Sequence, residues 1–414
     1  MSLTLYKDLV DDCSVACIPE SGNVKSVKAA FLEKQNPFEY DADILKFAEG
    51  VGIPIWNGET WIQTINREEF TFDPASLLDT GNELEFGTDY WVYICLDGTN
   101  PEIVVSKNES FPDGSTALTS RKIGHFYYGS IRKVSNDGLW IPIDSAGNKF
   151  GSSGTKWQDN VTVGIVPNSV WDLKHKPKIS HPGLVEVNGI WMGAFQASAE
   201  EAFSFMGGTN GLHIKSGKLA TKYGAIPVTG SEGMNQFTFN EIAHKQGLRL
   251  PRYAEWLAGA FGSPQGEDGS NNYGWTKTTN TGRTYTGVGV NTSTGKRDTA
   301  NGVKPYAISA YNLHDCAGNV AEWTSDYSIR QDSTSWAWQD VLGSGMGQAY
   351  LPFANGLSAL ICGHLWLNGV HCGPRTVNAN NYPWNVNTNI GARLACDECK
   401  LLRKRHTLLI TVTA

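Results

Sequence analysis

Apolar side chains recur at helical spacing in two short stretches near the start of the chain. The stretches are VKSVKAAFLEK, residues 24–34, and ADILKFAEGVG, residues 42–52. In both, apolar residues stand three or four positions apart, which is the period of an amphipathic helix, and Gly50 and Gly52 end the second stretch. The pattern predicts two short helices within residues 1–80, which we interpret as a mixed assembly or attachment segment.

The period of the apolar residues changes to two after residue 80. Aromatic and β-branched residues dominate four stretches that are separated by Gly, Asn and Asp turns. These stretches are FGTDYWVYICLDG (86–98), PEIVVS (101–106), SRKIGHFYYGSI (120–131) and VTVGIVPNSVWDL (161–173). The alternation predicts a β-rich module over residues 81–178, and the basic, proline-interrupted stretch at 174–183 marks its end.

A strand and two helices are predicted after this boundary. GLVEVNGIWMGAF, residues 183–195, alternates around an Asn-Gly turn, which indicates a strand. FTFNEIAHKQG, residues 237–247, has helical spacing and ends at Gly247. Pro251 stands in the first turn of a second predicted helix, which continues to Gly262, in agreement with the preference of proline for that position.

The rest of the C-terminal half is irregular in its pattern. Residues 263–310 are rich in Gly, Ser, Thr and Asn without an apolar period, which predicts long loops. The elements together predict an α+β fold with a C-terminal domain over residues 179–396. In the basic tail that follows, residues 397–414, the cluster from Arg403 to His406 precedes an alternating stretch. We interpret the tail as a solvated edge with a terminal strand rather than a nucleic-acid or membrane site.

The stretch NANNYPWNVNTNIGAR, residues 378–393, is crowded with asparagine, a residue that favours turns over strands and helices. Its later asparagines nevertheless alternate with Val386, Thr388 and Ile390. This period of two predicts an extended strand with one packed apolar face and one row of carboxamides.

Length and charge narrow the classes of function. A chain of 414 residues is long enough for more than one domain, and a net charge of −7 with 18% charged residues argues against nucleic acid as a partner. The 45 glycines and 14 tryptophans suit a loop-rich β fold. No apolar run approaches the roughly 18 residues of a membrane span, so we expect no membrane insertion. The first twenty residues lack the pattern of a signal peptide, so we expect synthesis in the cytoplasm.

The cysteines allow two interpretations. They stand at positions 13, 17, 95, 316, 362, 372, 396 and 399. The pairs Cys13/Cys17 and Cys396/Cys399 would form a zinc site if they met in space. Free buried thiols, as in a reducing compartment, are the expectation against which that alternative stands.

Several motifs resemble the formylglycine-generating-enzyme branch of the C-type lectin fold. The segments VNGIWMGAF, LRLPRYAEW and YNLHDCAGNVAEW occur in the order of that family, and its Gly-Asn-Val-x-Glu-Trp signature spans Gly318 to Trp323. The resemblance covers about residues 180–396. It implies that the C-terminal domain has a C-type lectin fold, preceded by a β-rich N-terminal tail module.

The end of that domain, residues 358–396, resembles the variable region of proteins diversified by retroelements. In such systems a reverse transcriptase copies a template with errors at adenines, and asparagine codons begin with two adenines. The resemblance implies that the asparagines occupy evolvable positions. The segments FGTDYWVYICLDG, SRKIGHFYYG and GIVPNSVWDLKHKP are similar to phage and prophage members of the group.

Enzymes of this fold require groups that do not align here. The resemblance implies a copper-binding cysteine pair, but Asn368 stands at the first cysteine position and Cys372 is out of register with the second. Thiolate ligation of Cu(I) requires both cysteines. A three-histidine iron cluster is not found either, so we predict a non-catalytic domain. No cofactor is expected to be required, although the resemblance implies a possible structural calcium ion held by oxygen ligands. These would come from Asp315, Gly318, Val320 and Glu322.

The variable-region hypothesis makes a specific prediction about burial. Most core substitutions destabilise a protein by about 0.5–3 kcal/mol, whereas exposed ones stay within about 0.5 kcal/mol, so variable side chains should face solvent. Buried anchors are expected at Cys362, Trp366, Val377, Val386, Ile390 and Ala392, with turns at Gly363, Gly369, Gly373 and Gly391. The ligand-binding face is expected to comprise His364, Leu365, Leu367, Asn368, Asn378, Asn380, Asn381, Tyr382, Trp384, Asn385, Asn387 and Asn389.

The resemblance implies a phage tail protein that binds a host cell-surface receptor, either protein or glycan, and sets host tropism. We expect a virion component that contacts other tail proteins and forms a homo-oligomer, with a trimer expected by analogy. Two alternatives are a copper oxidase of the formylglycine-generating type and a bacterial surface adhesin. The sequence leaves the ligand, the host and the adenine-encoded positions open.

Overall fold

Strands dominate the part of the protein that the computed structural model describes. That part comprises residues 18–20, 23–25, 32–34, 44–47, 52–56, 61–65, 70–97, 100–132, 161–173, 175–206, 213–263, 281–288, 290–291, 296–297, 307–330, 337–339, 349–351, 356–368 and 371–399. Within these residues the fold is mostly β-sheet, with two α-helices in the C-terminal half. No described helix is long and apolar enough to cross a membrane.

The N-terminal segment contains short antiparallel strands. They are β1 (Ile18–Glu20), β2 (Asn23–Lys25), β3 (Leu32–Lys34), β4 (Leu45–Phe47), β5 (Gly52–Trp56), β6 (Trp61–Ile65) and β7 (Phe70–Phe72). The two predicted helices are therefore wrong where the chain is described, because β2, β3 and β4 occupy parts of both stretches. In the three-stranded sheet β3-β4-β7, Leu45 is opposite Phe72 and both side chains are buried. Pairing with a strand far along the chain outweighs the local helical period.

A five-stranded antiparallel sheet occupies the predicted β-rich module. Its strands are β8 (Thr88–Asp97), β9 (Asn100–Ser106), β10 (Ser120–Arg132), β11 (Val161–Ile165) and β12 (Trp171–Asp172). The order is β11-β10-β8-β9, with β12 also paired to β10. All four alternating stretches of the sequence lie in these strands. Residues 133–160, which join β10 to β11, lie outside the described residues.

The C-terminal half contains the remaining strands and both helices. The strands are β13 (Leu184–Val187), β14 (Ile190–Gly193), β15 (Ser198–Met206), β16 (His213–Ala220), β17 (Val290–Asn291), β18 (Lys296–Arg297), β19 (Ala321–Arg330), β20 (Ala337–Gln339), β21 (Ala349–Leu351), β22 (Gly356–Gly363), β23 (Gly373–Asn381), β24 (Ile390–Ala392) and β25 (Ala395–Asp397). The helices are α1 (Gln236–Lys245) and α2 (Tyr253–Gly259).

One four-stranded sheet organises this half, in the order β23-β22-β19-β24. Strand β24 runs parallel to β19, whereas the other pairs are antiparallel. A second sheet, β13-β14-β25, includes the beginning of the predicted basic tail, since Asp397 is opposite Ile190. The basic cluster from Arg403 to His406 lies outside the described residues.

Helix α1 ends where its sequence predicts, whereas α2 differs from its prediction at both ends. The Asn235 side chain accepts a hydrogen bond from Thr238 N at 3.0 Å, and the Thr238 hydroxyl accepts one from Asn235 N at 2.8 Å. This reciprocal cap starts α1. Gly247 follows its end with φ of 74°, a left-handed conformation that favours glycine. Helix α2 begins at Tyr253 with Arg252 as its N-cap, so Pro251 precedes the helix and the prediction that it stands in the first turn is wrong. The helix ends at Gly259, earlier than predicted, and Gly262 is left-handed in the turn that follows.

The five-stranded sheet and the C-terminal half share one core. Trp91 and Trp171 of the sheet pack in the same buried cluster as Trp191 and Trp323. A polar link adds to this packing, because Gly183 N donates to Asp89 Oδ1 at 2.6 Å. The five-stranded sheet and the C-terminal half are therefore packed directly against each other.

The described cysteines differ in their state. The five free thiols are buried and belong to Cys95, Cys316, Cys362, Cys372 and Cys396. Cys399 is disulfide-bonded, so the expectation of a free thiol is wrong at that position. Within the described residues, no group of three or more His, Cys, Asp or Glu residues is placed to hold a metal ion. Cys13 and Cys17 lie outside them.

Tyr127 tests the shared core. Its ring packs edge-on against Phe195 at 5.5 Å between centroids, and its buried hydroxyl has no hydrogen-bond partner among the described residues. Burial holds the pKa of this hydroxyl well above its ordinary value. Tyr127→Phe should maintain or raise the free energy of unfolding, because leaving such a group unpaired costs about 1–3 kcal/mol.

Tyr127→Ala should instead lower the free energy of unfolding by about 3–5 kcal/mol. Urea unfolding followed by tryptophan fluorescence measures both variants. A single transition that shifts as a whole is expected. A C-terminal transition that does not move in Tyr127→Ala would contradict the shared core.

Candidate functional site

The residues predicted to bind ligand lie on strand β23 and on two loops that flank it. Loop 1 comprises residues 364–372 and joins β22 to β23, although residues 369 and 370 lie outside the described residues. Loop 2 comprises residues 382–389 and joins β23 to β24. We call loop 1, residues 376–381 of β23 and loop 2 the variable face. Strand β23 lies at one edge of the four-stranded sheet and β24 at the other, so loop 2 passes from one edge to the other. Both loops form backbone hydrogen bonds with residues 319–321, Trp366 N to Asn319 O and Ala321 N to Asn389 O.

Loop 2 does not form the strand that its alternation predicts. Asn385 N donates to Tyr382 O at 2.9 Å, which closes a turn around Pro383 and Trp384. Regular strand structure resumes only at Ile390. The prediction of one apolar and one amide face is wrong, because the carbonyls of Pro383 and Asn387 accept bonds from Gln236 and Gly230, which do not belong to a neighbouring strand. Thr388 is exposed.

Three backbone hydrogen bonds attach loop 2 to the rest of the domain. Gln236 N donates to Pro383 O at 3.0 Å, Gly230 N to Asn387 O at 2.9 Å, and Ala321 N to Asn389 O at 3.1 Å. In each bond loop 2 contributes only a main-chain carbonyl. These three attachments therefore do not depend on which side chains the loop carries.

The bond from Gly230 requires a close approach of two backbones. A Cβ atom at Gly230 would lie 2.5–2.6 Å from the main-chain N, C and O atoms of Asn387. Arg283 holds the adjoining turn, since its Nη1 donates to Thr229 Oγ1 and Glu232 Oε2, both at 2.7 Å. Burial raises the pKa of Glu232, but the bonds from Arg283 and Thr229 outweigh it, so the pKa lies below its usual value.

Loop 1 is attached in the same way to the turn of the Gly-Asn-Val-x-Glu-Trp signature. Trp366 N donates to Asn319 O at 3.0 Å, and Gly318 N donates to Gly363 O at 3.2 Å. The Trp366 side chain is buried, as predicted for an anchor. His364 has a left-handed φ of 59°, and burial lowers the pKa of its imidazole.

A buried ion pair supports both attachments. Glu322 in β19 and Arg393 after β24 are fully buried and form two hydrogen bonds, Nη2 to Oε1 at 2.8 Å and Nε to Oε2 at 3.0 Å. Arg393 also donates to three main-chain carbonyls at 2.6–2.9 Å, those of Gly193, Ala194 and His314. All five N–H groups of the guanidinium therefore have acceptors.

The Glu322 carboxylate is equally well supplied with donors. Trp256 Nε1 donates to it at 2.7 Å, and Gln196 Nε2 donates at 3.0 Å. Asn319, which has a left-handed φ of 58°, donates in turn to Gln196 Oε1 at 2.8 Å. The signature motif is thus the centre of a hydrogen-bond network. Its Asn319 fixes the turn that bonds to loop 1, and its Glu322 fixes strand β19, which pairs with β24.

The predicted calcium ligands do not fit a calcium ion. Gln196 Nε2 lies 3.0 Å from Val320 O, 3.0 Å from Glu322 Oε1 and 3.4 Å from the main-chain oxygen of Asp315. An amide donor therefore occupies the position among these oxygens where a cation would be held. The Asp315 carboxylate accepts bonds from Thr286 Oγ1 at 2.8 Å and Gly287 N at 2.7 Å. Gly318 contributes its turn geometry, with φ of 84°.

The side chains of the variable face are less exposed than predicted. All six asparagines are partly exposed, and four of them form local bonds. Asn381 Oδ1 accepts from Asn387 Nδ2 at 2.7 Å and from Asn385 Nδ2 at 3.4 Å. Asn378 Oδ1 accepts from Asn380 N at 2.7 Å. The amides thus lie at the surface but form a network with one another, and Asn389 is partly exposed beside them.

The apolar residues of the face divide differently from the prediction. Cys362, Ile390 and Ala392 are buried as expected, Val386 is partly buried, and Val377 is wrongly predicted to be buried. Val377 is 37% exposed because β23 has irregular pairing with β22 on both sides of it. Leu367 is exposed and Leu365 partly so.

Tyr382 and Trp384 form a stacked aromatic pair, with ring centroids 4.9 Å apart and planes 5° apart. Trp384 is 46% exposed. Tyr327 in β19 borders loop 2, since its hydroxyl donates to the Gln236 side chain at 3.0 Å. Sequence reasoning missed Tyr327, Gln236 and Gly230, and nothing in their local sequence relates them to loop 2.

The arrangement defines a C-type lectin-like domain. Its variable face is attached to the rest of the domain by main-chain hydrogen bonds. The family model for the sulfatase-modifying factor enzyme 1-like domain matches residues 181–398, more than half of the chain, so the chain belongs to that family. The model for the Mtd second domain matches residues 41–158.

Among characterised proteins, the chain is 29% identical over 205 residues to the tail fiber receptor-binding protein of Bordetella phage BPP-1. The match covers 48% of this chain and 46% of that protein, so the chain matches about half the length of this relative.

Two solved structures share the fold over most of the chain. The Major Tropism Determinant P3c variant has a TM-score of 0.58 and 22% identity, and the alignment covers 92% of this chain and 90% of that one. The U1 variant has a TM-score of 0.57 and 23% identity, covering 90% and 86%. At this identity the likeness establishes the fold alone.

Gly230 provides a test of how loop 2 is held. Gly230→Ala should lower the free energy of unfolding by about 1–3 kcal/mol, because the new methyl group overlaps the backbone of Asn387. Asn389→Ala should change it by about 0.5 kcal/mol or less, because the bond from Ala321 uses only the main chain. Gly282→Ala is the control, since an added Cβ there has no atom of the described residues within 4 Å. Chemical denaturation measures all three, and equal effects of Gly230→Ala and Gly282→Ala would contradict the close approach.

The ion pair gives a second prediction. Arg393→Met should lower the free energy of unfolding by about 3–5 kcal/mol, because it leaves a buried carboxylate without its charge partner. Adding Glu322→Leu should restore part of the loss, so the two effects should not be additive. A double-mutant cycle of urea unfolding measures this coupling, and additive losses would show that the pair is not a unit.

Proposed function

We propose that the protein is a non-catalytic receptor-binding protein of a phage tail, which recognises a receptor on the host cell surface through its variable face and so sets host tropism. Two comparisons support the proposal. The relative from Bordetella phage BPP-1 is described as a tail fiber receptor-binding protein, and residues 41–158 match the Mtd second domain. The match to that relative covers about half of its length, so the role of the whole protein is inferred.

The observation that carries the proposal is the way the two loops are held. Loop 2 is attached through the carbonyls of Pro383, Asn387 and Asn389, and loop 1 through the main chain at Gly363 and Trp366. Side chains on these loops can change without loss of the attachments. Substitutions at partly exposed positions of this kind have small effects on the free energy of unfolding. A diversified surface requires this tolerance of sequence change.

Diversification by a retroelement accounts for the crowding of asparagine. Codons that begin with two adenines are the positions where copying errors at adenine produce the widest change. The genome provides a direct test. An imperfect repeat of the DNA that encodes residues 360–393 should lie near a reverse transcriptase gene, and the repeat should differ from that coding DNA at adenines. Differences spread evenly over all four bases would contradict this origin.

A copper oxidase is the alternative that the family name raises. The residues present are poorly suited to it, because Asn368 stands at the first cysteine position that the resemblance implies and the Cys372 thiol donates to the Leu365 carbonyl at 3.3 Å. Copper ligation requires the thiolate form. We therefore propose that the domain binds ligand without catalysis and requires no cofactor.

The assembly follows from the same argument. A single small face gives modest affinity, whereas linked copies can raise avidity by about 10²–10⁴. We propose a homo-oligomer, with a trimer as the expected form, that is carried on the virion and held to other tail proteins by the N-terminal regions.

Binding of the purified full chain to a panel of bacterial strains tests the function. At least one strain should bind it, and the double variant Tyr382→Ala/Trp384→Ala should bind that strain at least about tenfold more weakly, as expected for aromatic anchors that the receptor buries on binding. Leu118→Ala is the control, because Leu118 is 62% exposed on the five-stranded sheet module, outside the variable face.

The wild-type chain should also compete with phage particles for adsorption to the same strain. Equal binding by the double variant and the control, or no binding to any bacterial surface, would contradict the proposed function. Chromatography with light scattering gives the oligomeric state, and a monomer would contradict the proposed assembly.

A further inference from the structure

The variable face has almost no charged residues. Arg375 is the only Asp, Glu, Lys or Arg from Gly356 to Ala392, although charged residues form 18% of the whole chain. Phosphate, sulfate and carboxylate groups are recognised by arginine and lysine side chains, often in clusters. The composition of the face therefore disfavours an anionic ligand and favours an uncharged one.

The polar groups that replace charge are carboxamides. Each has two donor protons and two acceptor lone pairs, so it matches a hydroxyl group, which also donates and accepts. The amides of Asn385 and Asn387 each donate to Asn381 Oδ1, which orients them while most of their bonding capacity remains. A cluster of oriented groups with both donors and acceptors suits a ligand rich in hydroxyl groups.

The aromatic pair supplies an apolar surface next to these amides. Tyr382 and Trp384 are stacked almost in parallel, at 4.9 Å between centroids, and Trp384 is 46% exposed. Because Tyr382 packs on one face of the Trp384 ring, that ring is held in one orientation. A flat ring of this kind can pack against the C–H groups of a sugar ring, while the hydroxyls at the edge of that ring reach the amides.

We infer that the variable face binds a neutral glycan on the host cell surface, with one sugar ring packed on Trp384 and its hydroxyl groups bonded to the asparagines of loop 2. This inference rests on the proposed receptor-binding function and specifies its ligand class. A protein receptor would be met by the same aromatic residues, but it presents charged side chains as well, for which the described face has few partners.

Chemical treatment of cells separates the ligand classes. A strain that binds the full chain is treated with periodate, which cleaves vicinal diols of sugars, or with proteinase K, which removes surface protein. Periodate should abolish binding and proteinase K should leave it unchanged. The reverse result would overturn the glycan assignment while leaving receptor binding in place, and loss of binding in neither arm would also overturn it.

Salt dependence tests the neutrality of the ligand. Binding to a neutral glycan should change less than about twofold between 50 mM and 500 mM NaCl, because few charges are screened. A decrease of about tenfold or more would indicate an anionic polymer, such as a sulfated or phosphorylated glycan, and would overturn the assignment.

Variants at the aromatic pair complete the test. Trp384→Ala should reduce binding to the strain, and to an array of neutral oligosaccharides, by at least about tenfold, whereas Trp384→Phe should retain part of it because a flat ring remains. Asn380→Asp places a negative charge on the face and should not improve binding to any neutral oligosaccharide. Leu118→Ala, with circular dichroism of every variant, controls for folding, and equal binding by Trp384→Ala and Leu118→Ala would contradict the inference.

Discussion

The ion pair between Glu322 and Arg393 is the interaction on which the arrangement of the C-terminal half depends. It joins the central strand β19 to the residue that follows β24, and so fixes the chain immediately beyond loop 2. A buried pair of this kind stabilises a fold only if its remaining donors and acceptors are satisfied. Here three main-chain carbonyls, Trp256 and Gln196 complete the set. The same Gln196 amide stands where calcium would otherwise be expected, so protein donors supply the positive partners at this place in the fold.

In the variable face, main-chain and side-chain atoms have different roles. Framework residues such as Gly230 and Gln236 hold loop 2 by its carbonyl groups, while the loop's own amides and aromatic rings are bonded mainly to one another. Under the proposed function, stability and recognition are thereby assigned to different atoms of the same residues. The shared core of Trp91, Trp171, Trp191 and Trp323 extends this rigid support to the five-stranded sheet, so the face is not carried on an independent lobe.

How much of this could be read from the sequence depended on the range of the interactions. The alternation at residues 86–98 and 120–131 predicted β8 and β10, because a half-buried sheet imposes its period directly on the side chains. The helical spacing at residues 42–52 failed, because Leu45 is paired with Phe72 in a sheet whose partner strand cannot be seen locally. For the site, the asparagine-rich stretch and the signature motif are in contact in the structure, since Ala321 N donates to Asn389 O, while the binding role of the face stays a prediction. The strand predicted for loop 2 and the burial predicted for Val377 failed, because contacts from Gly230 and an irregularity in β23 decide both.

The three carbonyl attachments of loop 2 also restrict how this surface can change over generations. They are made at Pro383, Asn387 and Asn389, so the number of residues between them is fixed by partners that do not move. Inserting or deleting one residue would misalign at least one attachment, whereas substituting one residue for another would misalign none. The surface is therefore suited to change by replacement at constant length, and lineages that carry it should differ in the identity of these residues but not in their number.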